Sequence, residues 1–80
     1  MNRFRSVAIR VWKGEGFNKN ATLTQYRYYD GDEYTDNHWL FRDRQGRPYN
    51  PEDQAEVDKI VKEWRLKDIT EEIEPLKEWI

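Results

Sequence analysis

The hydrophobic period of this chain changes once, near residue 50, and that change dictates the class of fold. From Arg5 to Lys13 the residues alternate, with Val7, Ile9 and Val11 on one side and Ser6, Ala8, Arg10 and Trp12 on the other. A period of two carried by β-branched residues is the pattern of a strand. Thr22 to Tyr29, rich in Thr and Tyr, reads as a second strand, and His38 to Arg42 as a short aromatic third. Residues 14–20 form a loop by composition, and Asp30-Gly31-Asp32 opens a turn read as a loop running on to Asn37. After the turn at residues 44–47, Pro48-Tyr49 reads as a stub of edge strand, because proline cannot donate to a ladder.

Beyond Asn50 the period becomes helical: Val57, Ile60, Val61 and Trp64 fall at i, i+3, i+4 and i+7. Asn50 as N-cap, Pro51 at the first helical position and Glu52 and Asp53 in the first turn mark the start. Leu66, Ile69, Ile73, Leu76 and Ile80 then recur at alternating spacings of three and four. This second stripe is out of phase, since Leu66 lies about 200° around a helix from Trp64. One straight helix cannot bury both stripes, so a break is expected at Arg65–Asp68, with Asp68 and Glu71 capping a second short helix. Pro75 adds a further discontinuity. The expected fold is α+β in one domain: a three-stranded antiparallel meander with a fourth edge stub over residues 1–49, an amphipathic helix over 50–66 and a broken helical tail over 67–80.

Such a fold needs a core, and aliphatics are scarce. Leu, Ile, Val and Phe supply sixteen of 80 residues. Disordered chains, however, are poor in aromatics and high in net charge. This chain has twelve aromatics and a net charge of −2. We read it as folded, with aromatics supplying much of the buried area.

The residues that carry chemistry are few. Without cysteine there is no disulfide, thiolate nucleophile or Cys-based zinc site. One serine and one histidine, Ser6 and His38, would have to converge to act as a nucleophile and base, and Ser6 sits mid-strand. The expectation is a protein that is not an enzyme. Gly14-Glu15-Gly16 stops short of a phosphate loop. Asp30, Asp32, Glu33, Asp36 and His38 cluster, but Gly31, Tyr34 and Phe41 occupy positions that break the calcium-loop pattern. The cluster reads as a solvated turn, and no metal or cofactor is expected. The longest apolar runs are three residues, far below the ~20 of a membrane span, and Arg10 interrupts any signal-peptide core. A cytoplasmic protein with no membrane contact is expected.

Partners are suggested by charge. Residues 1–50 carry nine Lys or Arg against six Asp or Glu, whereas residues 51–80 carry five against ten. The acidic half, with Glu52, Glu56, Asp68, Glu71 and Glu72, and the apolar tail, with Leu66, Ile69, Ile73, Leu76 and Trp79, form a candidate protein-contact surface. The first expectation is a small inhibitor or adaptor that occupies a surface of a larger assembly, in the style of a phage or mobile-element accessory protein. The tail also offers a homodimer seam. The alternative is single-stranded nucleic-acid binding by aromatics interleaved with cations on the strands: Arg10, Trp12, Lys13, Tyr26, Arg27, Tyr28, Trp39, Arg42 and Arg44. It requires these groups on one exposed face, and the isoelectric point near 5.4 counts against it.

Overall fold

The computed structural model describes residues 4–72 and 78–79, with positions 4, 37, 78 and 79 described by backbone. The meander is formed by β1 (Phe4–Lys13), β2 (Thr22–Asp30) and β3 (Glu33–Arg42), with β4 (Pro48–Tyr49) on the edge of β3. A helix, α1 (Gln54–Glu63), follows, and the chain returns to β1 as β5 (Lys67–Asp68) and β6 (Glu78–Trp79). Strand order is β4-β3-β2-β1-β5, all antiparallel, and β6 also pairs with β1. The α+β class stands, with more strands than the pattern gave and no second α-helix among the described residues.

The expected loop at 30–37 is largely strand. Asp30 pairs with Glu33 across a two-residue turn, and Gly31 takes φ 63°. Positive φ at the first turn position suits a hairpin whose strands twist right-handedly. The polar stretch after the turn is held by cross-strand contacts: the rings of Tyr29 and Tyr34 meet at 5.6 Å, and Arg27 pairs with Asp36 at 2.6 Å.

The regular alternation of β1 is also interrupted. The β1–β2 register shifts between Ala8 and Arg10, leaving Ile9 as an extra, bulged residue. Val7 and Val11 therefore lie on opposite faces, contrary to the common face read from the sequence. Trp12 lies opposite Leu23, which lies opposite Phe41, and this row faces α1. The core consists of Trp12, Ala21, Leu23, Trp39 and Phe41 packed against Val57, Ile60 and Leu66, with Val61 and Trp64 at its margin. The helical stripe thus packs as its spacing predicts.

Both helix ends differ from expectation. The N-cap is Asp53, whose carboxylate accepts the Glu56 N–H at 2.9 Å. Asn50 instead sends its side-chain amide to the Trp39 carbonyl, and Pro51 is buried ahead of the helix. At the other end, Arg65 takes φ 51°. The Arg65 N–H reaches the Lys62 carbonyl, and the Leu66 N–H reaches that of Val61 at 3.0 Å. These two bonds close a Schellman cap, which swings Leu66 back onto the core. The phase change that demanded a break is thereby resolved: Leu66 joins the same core as Val57 and Ile60 without continuing their helix. Lys67 leaves the helix too, and Glu63 pairs instead with Lys59 one turn back.

The tail becomes an edge of the sheet. The Ile69 N–H donates to the Val11 carbonyl at 2.8 Å, and the Val11 N–H donates to Thr70 Oγ1. Asp68 accepts the Thr70 N–H ahead of a single 3-10 turn at Thr70–Glu72, so the expected second helix is only this turn among the described residues. The open backbone edge of β1 outcompetes local helix formation. The expected discontinuity at Pro75 lies outside the described residues.

Candidate functional site

Residues directly opposite one another in a sheet share a face, so the register sorts the strand side chains. The helix-covered face holds Trp12, Leu23 and Phe41, then Arg10, Gln25 and Trp39. Farther along it, Arg27 pairs with Asp36 and stacks on Tyr34, and Arg5 stacks on Tyr29. The other face holds the row Lys67, Lys13, Thr22 and Arg42, and next to it Val11, Thr24 and Leu40. Beyond the bulge come Ala8, Tyr26 and His38, then Ser6, Tyr28 and Thr35. No member of the core cluster lies on this second face.

That face is half-open. Tyr26, Val11, Thr24 and Leu40 are half-buried, whereas Lys13, Arg42, Lys67, His38 and Thr35 are exposed and Tyr28 is 37% exposed. The rings of Tyr28 and His38 meet at 5.3 Å. Among these thirteen strand positions there is no carboxylate. Asp36 and Asp68 both lie on the helix side, where they pair with Arg27 and Arg10. Asp30 and Glu33 close the far end, at the hairpin tip. A chain of net negative charge therefore presents one sheet face with three cations and three aromatic rings.

The two candidate surfaces read from the sequence are divided by this sorting. Of the nucleic-acid set, Lys13, Tyr26, Tyr28 and Arg42 share the open face. Trp12 and Trp39 are 6% and 4% exposed beneath α1, so a base cannot stack on either as they are packed. Arg10 and Arg27 are on the helix side in ion pairs. Arg44, in the turn after β3, stacks on Trp64 and on Phe17, which is 85% exposed. Lys67 and His38 also belong to the open face; Lys67 could not be found from local periodicity, because it joins the sheet through long-range pairing of the tail with β1.

Of the protein-contact set, Leu66 is buried at 7% exposure and is a core residue. Glu52, Glu71 and Glu72 are exposed, Ile69 is half-buried beside Lys13 and Lys67, and Asp68 is tied to Arg10 and Thr70. Glu56 accepts the hydroxyl of Tyr49, which pushes the Tyr49 phenol above its ordinary value. Ile73 and Leu76 lie outside the described residues, and Trp79 is described through its backbone pairing with Ser6. A groove of about 630 Å³ runs between α1 and the β3–β4 edge, with Phe41, Tyr49, Ile60 and Trp64 in its lining and Glu56, Lys59 and Glu63 beside them.

Shifted titrations occur at surface hydrogen bonds. The Arg27 guanidinium holds the Asp36 carboxyl below its usual range. Backbone N–H donation from Arg47 and Gln45 does the same for Asp43. Burial opposes the shift at Asp68, but hydrogen bonds from Thr70 and Arg10 outweigh it. Among the described residues no polar or charged residue is buried, and no three His, Asp or Glu groups converge to hold a metal. No described helix is long and apolar enough to cross a membrane.

Compared with models of protein families, with curated proteins and with solved structures, the chain gives no significant match.

Proposed function

We propose that this protein is a non-catalytic binding module that carries single-stranded nucleic acid on the sheet face opposite α1. One observation carries the reading: on one face Lys13, Arg42 and Lys67 form a row, and Tyr26 and His38 lie two rows and Tyr28 three rows farther along it, with no carboxylate in these rows. Phosphates are attracted by the cations, and each base offers a π-face to the rings regardless of sequence. The low isoelectric point does not weigh against a face whose strand acids, Asp30 and Glu33, sit at the hairpin tip, away from the cation row. Ser6 to Lys13 spans roughly 23 Å of strand, room for about four stretched nucleotides, the lower end of single-strand site sizes.

The test is fluorescence anisotropy of an end-labelled oligothymidine at several salt concentrations. Three neutralised phosphates give a slope of about −2 for log K against log salt, and Lys13→Gln reduces it by about 0.7. Tyr28→Ala weakens binding by roughly 5- to 150-fold, the range for one base stack. Absence of binding at low salt, or binding indifferent to both substitutions, rejects the reading.

A second reading retains a protein partner, as an inhibitor or adaptor would have. It is favoured by the groove beside α1, where the exposed Tyr49 and half-buried Trp64 meet an acidic rim. It predicts contact on the opposite side of the molecule.

A further inference from the structure

We infer that the corner of the sheet where β1 enters the loop 14–20 is a binding site for a phosphate-sized anion. Lys13 and Lys67 are directly opposed across β1 and β5, and like charges so placed repel. Lys19 approaches from the loop, and the three lysines line one concavity of about 350 Å³ with Gly14, Glu15, Gly16, Ile69 and Glu72. Glu15 and Glu72 leave the lining at a net charge of +1. Among the described residues neither is within ion-pair distance of a lysine, and none of the three lysines has an ion-pair partner. Arg10 and Arg27, by contrast, are both neutralised on the other face.

The concavity is also held in shape. A side chain at Gly14 would meet the Asn18 carbonyl oxygen at 2.1 Å, so the loop folds tightly onto its own start. The Gly14 N–H bonds to the Ala21 carbonyl, and the Asn18 amide ties the loop to the Trp64 carbonyl at the helix end. The backbone that carries Lys19 is thereby held against the end of β1 that carries Lys13. Lysines bind phosphate as converging point charges, and a dianion between Lys13 and Lys67 removes their repulsion. The site takes either free phosphate or the phosphate of a nucleic-acid strand lying on the adjoining face. Strand phosphate as the source rests on the function proposed above; the anion site itself does not.

The experiment is thermal unfolding of the full chain in rising phosphate, with chloride as the control at equal ionic strength. The wild type is expected to gain several degrees once phosphate exceeds its dissociation constant about tenfold. Lys13→Gln is expected to unfold no lower than wild type in chloride and to show no phosphate response. Equal melting in both salts, or an equal gain in Lys13→Gln, overturns the site. Oligothymidine anisotropy, repeated with phosphate as competitor, identifies the source. Competition supports a strand phosphate in this site. Phosphate stabilisation without any oligonucleotide binding supports a free-phosphate site and rejects the nucleic-acid reading. Oligonucleotide binding without phosphate stabilisation overturns the site and leaves that reading intact.

Discussion

Arg65 is the residue on which the second half of the fold turns. Its left-handed backbone closes the helix and returns Leu66 to the core. The sequence announced a break here, because the stripes before and after Trp64 could not share one helix face. It did not announce the device, because the capping position usually belongs to glycine. Left-handed backbone costs an L-residue roughly 1 kcal/mol more than glycine. Arg65→Gly is therefore expected to raise stability by up to about 1 kcal/mol, a rise in Tm of roughly 4–8 °C for a domain of this size. Chemical and thermal denaturation measure it. Destabilisation by the same amount would mean that the Arg65 side chain contributes more than its backbone costs.

At the scale of elements, what was legible was what depends on local pattern. The strand cores of β1 and β2, the edge stub at Pro48-Tyr49 and the buried stripe Val57, Ile60 follow from spacing. What escaped were long-range events: the bulge at Ile9, the extension of β3 back to Glu33 and the addition of the tail to β1. The run Glu33 to Asn37 looks like a loop because it is polar, and it becomes strand because Tyr29 and Arg27 supply partners across the hairpin. That pairing has a pH signature. Asp36, Asp43 and Asp68 titrate below their ordinary values in the folded chain. A carboxyl with a depressed folded pKa contributes stability above its unfolded value, near 4, and loses it as pH falls through the folded value. Urea midpoints should hold steady from pH 7 to about 5 and fall below about 4. Asp36→Asn should flatten part of that fall, and a midpoint unchanged between pH 5 and 3 would show that these bonds add nothing.

At the scale of the molecule, composition misleads where register informs. The net charge of −2 and the acidic second half suggest a negative protein. The sheet sorts its charges: Asp36 and Asp68 turn to the helix side, Asp30 and Glu33 sit at the hairpin tip, and Lys13, Arg42 and Lys67 turn to the open face at its other end. Four of the nine residues of the aromatic-basic set lie on that face, and Trp12 and Trp39 are diverted because a core with so few aliphatics needs them. The measurement that bears most directly on the open face is amide chemical-shift mapping of the labelled protein during titration with oligothymidine. The expected result is that Val11, Lys13, Thr24, Tyr26, Tyr28, His38, Leu40 and Arg42 move together while α1 stays still. Shifts confined to α1, Tyr49 and Trp64, or none at all, would contradict it.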